Sequence, residues 1–82
     1  MDDPEILALF PAIEEQLTSV ETPYVKTAFE SLLAEDDIDE PEAKYMLAFC
    51  LADEIDKMMS EERPFNLERY QMLLALLPTL PE

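Results

Sequence analysis

The sequence predicts an all-α protein: a small antiparallel bundle of about four helices with an apolar, proline-containing C-terminal tail. Three observations carry that expectation. Apolar residues recur at three- and four-residue spacing, the signature of one buried helix face. Prolines preceded by Asp or Thr mark helix starts. No stretch alternates apolar and polar residues as a half-buried strand would. The 82 residues are expected to form one helical domain, 1–82. Nearly half of them, 49%, are apolar, which separates the chain from disordered acidic sequences.

The first helix is expected from about Pro4 to Ser19, with Asp3 as its cap and Pro4 at its first position. Ile6, Phe10, Ile13, Leu17 and Val20 form its stripe. Pro11 falls inside it. The proline ring would collide with the carbonyl of Leu7, so a kink or break is expected near Phe10. Thr22-Pro23 opens a second helix, running to about Glu35, with Val25, Ala28, Phe29, Leu32 and Leu33 inward. Glu35-Asp36-Asp37 should stop it, with one residue in the left-handed conformation that often ends helices.

The third helix is the longest, from about Glu40 to Ser60. Asp39 and Glu42 read as a variant capping box. Ala43, Met46, Leu47, Cys50, Leu51, Ile55 and Met58 form its stripe. Tyr45, Phe49 and Ala52 widen the apolar arc, which predicts two neighbouring helices. Glu40–Lys44 and Asp53–Lys57 have the spacing of ion pairs along one helix. After a loop at Glu61–Phe65, Asn66 caps a fourth helix from about Leu67 to Leu77, with Tyr70, Leu73, Leu74 and Leu77 inward. The tail from Leu76 to Pro81 is apolar and should pack across the bundle.

Ile13-Glu14-Glu15-Gln16-Leu17, Pro23 and Phe29-Glu30-Ser31-Leu32-Leu33 make the first half of a pattern that covers Ile6 to Leu77. Glu42-Ala43, Ala52-Asp53-Glu54-Ile55 and Pro64-Phe65 continue it, followed by Tyr70, Leu73, Leu77 and Pro78. The pattern resembles a family of small uncharacterised bacterial all-helical proteins, a domain of unknown function. The resemblance implies the helical fold and a bacterial character, and it implies no activity. Relatives of this kind often carry histidines on the first and third helices; this chain has none.

Composition narrows the function. Twenty acidic residues oppose five basic ones, for a net charge of −15, and there is no histidine or glycine. Imidazole acid–base chemistry and imidazole metal ligation are excluded. A glycine-rich phosphate loop cannot be built. Nucleic acid and anionic membranes should be repelled within a Debye length of about 8 Å, while basic proteins should be attracted. The longest apolar run, Met72 to Leu77, is too short to span a bilayer. Cys50 is the only cysteine, and no signal-peptide pattern opens the chain, so a reducing cytoplasm is expected.

Candidate sites follow. Glu14 and Glu54 flank apolar stripes, and inward carboxylates on facing helices are how bundles hold divalent metals. The alternative is that both reach solvent, or that one pairs with Arg63 or Arg69. Cys50 lies on a stripe among acids, the opposite of what activates a thiolate. Met46, Met58 and Met72 read as core fillers or as an adaptable groove, while Met59 points away from the stripe. The acidic residues Glu35, Asp36, Asp37, Asp39 and Glu40 cluster between the second and third helices. With Met59 and Leu80 they are the predicted interaction residues. The expected function is a non-catalytic protein-interaction module with a basic partner, able to form a homodimer and needing no cofactor. One alternative is an acidic mimic of DNA, with Asp2, Asp3, Glu5, Glu14, Glu15 and Glu42 adding to the charge. The other is a carboxylate-based divalent-metal bundle.

Overall fold

A computed structural model describes residues 3–80; Asp2, Pro81 and Glu82, which fall within the expectations above, lie outside the described residues. Five helical segments follow one another: α1 Pro4–Leu7, α2 Phe10–Thr18, α3 Pro23–Leu33, α4 Glu40–Ser60 and α5 Leu67–Leu76. The predicted all-α bundle is what the chain forms. Its expected first helix is split into α1 and α2. Pro11 removes a donor and blocks the preceding turn, so the chain steps through Ala8 and Leu9 with a tighter bond, Leu9 N–H to the Ile6 carbonyl at 3.0 Å.

The caps show why the helices start where they do. Asp3 Oδ1 accepts the Glu5 amide, Asp39 Oδ1 the Glu42 amide and Asn66 Oδ1 the Arg69 amide, each at 3.0 Å. Thr22 differs from expectation. Its hydroxyl makes no cap bond to α3. Instead it donates back to the Gln16 carbonyl at 2.7 Å and so satisfies the last turn of α2. Val20, expected on the buried stripe, falls in this turn and is 94% exposed.

The 21-residue α4 is the spine, and it packs against α1, α2, α3 and α5. Two neighbours were expected. Four fit because Ala43, Ala48 and Cys50 are small and fully buried, so other helices approach closely around the axis. Leu47, Tyr45 and Leu51 complete its buried surface, and Ile13, Val25, Leu32, Tyr70 and Leu73 close over them. Met46, Ile55 and Met58 sit at the margin of the core, half-buried.

The turns depart from expectation in an informative way. α3 ends through Ala34 in a right-handed conformation, and the Glu35 amide bonds the Leu32 carbonyl at 3.0 Å. Among the described residues the left-handed backbone falls elsewhere, on Glu62 at φ 50°. There the Arg63 amide reaches back to the Met58 carbonyl at 3.1 Å, the six-to-one bond of a Schellman turn. The chain has no glycine to place at that position. The tail packs only in part: Leu77 lies against the core, while Leu76 and Leu80 are exposed. The Leu77–Pro78 peptide bond is cis.

Glu62 carries a side chain where glycine is favoured, at a cost of about 1–2 kcal/mol. Glu62→Gly should therefore raise unfolding free energy by about 1 kcal/mol, after the added flexibility of the unfolded chain is subtracted. Urea unfolding beside Glu62→Ala, which removes the charge but keeps the Cβ, separates the two effects; Ala should give no such gain.

Candidate functional site

The most unusual side chain is Glu54, a carboxylate with no solvent exposure. It sits on the inward face of α4, one turn beyond Cys50. Arg63 grips it with two nitrogens: Nη1 donates to Oε2 at 2.7 Å and Nη2 to Oε1 at 3.2 Å. Arg69 Nη1 donates to Oε1 at 2.9 Å, and the Asn66 amide donates to Oε2 at 2.7 Å. Each oxygen thus accepts two bonds. Arg69 also pairs with Asp53, and Arg63 Nε with Glu61 at 2.7 Å. The Glu62 turn makes this possible, because it swings Arg63 back along α4. The Arg63 hydrogen bonds hold the Glu54 carboxyl far below its ordinary value of 4.5, at about 2, against the opposing effect of burial; the Asn66 amide and Arg69 add to the lowering.

Of the two readings of Glu54, the structure shows the pairing with arginine, and with both Arg63 and Arg69. Glu54 has its oxygens filled by cations and an amide, which leaves no lone pair directed at an ion. Glu14 is elsewhere, exposed, accepting a bond from Lys44 Nζ at 3.1 Å. Among the described residues no three or more His, Cys, Asp or Glu side chains are grouped to hold a metal. The expected pairs within the long helix also give way: Lys44 chooses Glu14 over Glu40, and Asp53 chooses Arg69 over Lys57. Both find partners across the bundle, and the Asp53–Arg69 pair is partly buried, where screening is weaker.

Cys50 is fully buried. Burial, then the nearby Asp53 charge, pushes its thiol up to about 12. It is not a nucleophile at neutral pH. Tyr70 anchors α5: its hydroxyl donates to Gln16 Oε1 at 2.7 Å, and its ring meets Tyr24 and Phe65 edge-on at 6.2 and 5.6 Å. Burial raises its phenol above the usual range, and Cys50 and Tyr24 add to the rise.

Two surface features bear on binding. The first is the acidic turn. Glu35, Asp36, Asp37, Asp39 and Glu40 are all exposed, and none takes part in an ion pair among the described residues. Asp39 caps α4, and Glu40 lies in its first turn, where negative charge suits the helix dipole. Glu35, Asp36 and Asp37 have no such task. The second feature is a groove of about 330 Å³ between α3 and α5, lined by Tyr24, Thr27, Ala28, Ser31, Gln71, Leu74, Ala75 and Leu77. Sequence reasoning missed it. Its signal was the run of small side chains, Thr27, Ala28 and Ser31 facing Ala75, which leave space between two helices.

Met59 is 68% exposed and points outward, as expected. It does not share a patch with Leu80. α5 begins beside Glu54 and runs back along α4, so Met59 lies past one end of α5 and Leu80 past the other. The ten residues of α5, about 15 Å, lie between them. Leu80 instead follows Leu77 at the end nearer the acidic turn. No described helix is long and apolar enough to cross a membrane. Comparison with family models, curated proteins and solved structures gives no match.

Two outcomes test this geometry. Glu54→Gln should cost about 3–5 kcal/mol at neutral pH, because two guanidiniums lose their partner. The depressed Glu54 value means its stabilisation is complete above the ordinary 4.5 and is lost as pH falls toward about 2. The difference between parent and variant, measured by urea unfolding, should therefore shrink over that window; a constant difference would contradict the network. Cys50 should react with a disulfide reagent only as the protein unfolds, so labelling across a urea series should track the loss of helicity.

Proposed function

We propose that this chain is a non-catalytic protein-interaction module of a reducing cytoplasm, presenting an acidic face to a basic protein partner. One observation carries the reading. Three of the five cations, Lys44, Arg63 and Arg69, are tied to carboxylates of the chain itself. The outer surface is left with far more carboxylate than counter-charge, concentrated at the turn between α3 and α4. Such a field speeds encounter with a positive partner and repels nucleic acid.

Among the described residues, the engagement of the groups capable of chemistry supports the non-catalytic part. The buried carboxylate is saturated, the thiol is held protonated, and the sequence has no imidazole. A different, basic chain suits this surface better than a second copy. Two copies would each carry −15 and repel one another.

Affinity capture from the source lysate, with binding kinetics on the captured protein, tests the reading. The parent should retain a basic protein at low salt. The triple variant Glu35→Gln, Asp36→Asn, Asp37→Asn should slow its association by roughly tenfold, with dissociation little changed. Asp39 and Glu40 are left alone so that α4 keeps its start. Equal association by parent and variant would defeat the proposal.

A further inference from the structure

An acidic face does not account for α5. Tyr70, Leu73 and Leu74 are buried, yet Leu67, Met72 and Leu76 are exposed at 47%, 55% and 55%. α5 thus turns apolar side chains outward as well as inward, with Glu68, Arg69 and Gln71 interspersed. Beside it runs the α3–α5 groove. Tyr24 in the first turn of α3 meets Tyr70 near the start of α5, and residues from Tyr24 to Ser31 and from Gln71 to Leu77 line one groove, as for two helices running the same way. The groove therefore extends from the tyrosines toward Ser31 and Leu77. Glu35 follows Ser31 by four residues, one helical turn. α3 ends at Leu33, so Glu35, Asp36 and Asp37 stand in the turn just past the Ser31 end of the trough; they do not line it, and they have no ion-pair partner among the described residues.

We propose that this groove docks an amphipathic helical segment of the partner. Its apolar side chains would enter between Thr27 and Ala75, and its Lys or Arg residues would lie against Glu35–Asp37. The inference rests on the interaction-module reading and adds the place and the chemistry of the ligand. The volume, about 330 Å³, stands at the small end of ligand pockets, which suits inserted side chains rather than a whole cofactor. Helix-in-groove recognition works through such anchors spaced by one turn. Charge selects the occupant. No helix of this chain has the required basic flank: α3 carries only Lys26, α4 only Lys44 and Lys57, α5 only Arg69. A second copy cannot supply it.

The probe is a fluorescein-labelled peptide of Leu and Lys, patterned as an amphipathic helix, beside a Leu and Glu peptide of the same pattern. Fluorescence anisotropy at moderate salt reads binding to the full chain. Ala75→Arg and Ser31→Arg obstruct the groove from opposite walls, at exposed positions. Glu15→Gln on α2 makes the same unit change in net charge as either of them, away from the groove. Circular dichroism confirms that each variant folds. The Leu and Lys peptide should saturate the parent, and the Leu and Glu peptide should not bind. Each groove variant should weaken binding roughly tenfold, the scale of losing one anchor. Glu15→Gln should change it by less than about twofold, as for a charge outside the contact. Equal weakening by all three would overturn the groove assignment while leaving the interaction-module reading intact. No saturable binding would overturn both. A dimer in sedimentation that Ala75→Arg dissociates would overturn the assignment in favour of a second copy.

Discussion

Glu54 is the interaction on which the rest of the structure depends. A carboxylate without solvent exposure is stable only when its charge is met in place. Here two arginines and an amide meet it, Arg63 and the Asn66 amide from the connection between α4 and α5 and Arg69 from the first turn of α5. Satisfying one charge therefore sets the path of the connecting loop, the left-handed backbone at Glu62 and the starting point of α5. With neither a disulfide nor a large core available, this cluster does at one end of the bundle what a covalent staple does in other small domains.

The same cluster shapes the outside. Guanidiniums drawn to Glu54 and Asp53 are not free to balance acids elsewhere. Lys44, reaching across to Glu14, is likewise engaged. The chain thus neutralises its interior and leaves its surface unbalanced. That imbalance carries a cost in self-repulsion, which grows as ionic strength falls. The acidic turn adds to this cost, and only part of it assists α4 by capping and by the helix dipole.

α5 joins the two themes. Arg69 fixes its first turn to the ion cluster, and Tyr70 locks it to α2 and α3 through Gln16 and Tyr24. Held at that end, it lies against α3 over residues too small to fill the space between them. The groove is thus a consequence of anchoring a helix by one end beside alanine, serine and threonine.

Much of this fold was legible in the residues. The stripes, the Asp39 and Asn66 caps, the break before Pro11 and the outward Met59 all follow from local spacing and local hydrogen bonding. Those forces act within a turn or two of helix, so a linear pattern can report them. The sequence could offer Arg63 or Arg69 as a partner for Glu54; it could not show that both converge, since that needs a tight turn at a residue other than glycine. Nor could it show Lys44 leaving Glu40 for Glu14, or α4 meeting four neighbours instead of two. The separation of Met59 from Leu80 and the groove beside Ala75 were hidden for the same reason. Spacing along a helix determines which side chains share a face, and the sequence alone decided that much. Which faces meet, which charges find one another and where space is left unfilled are set by packing all the helices at once, and only the tertiary structure decided them.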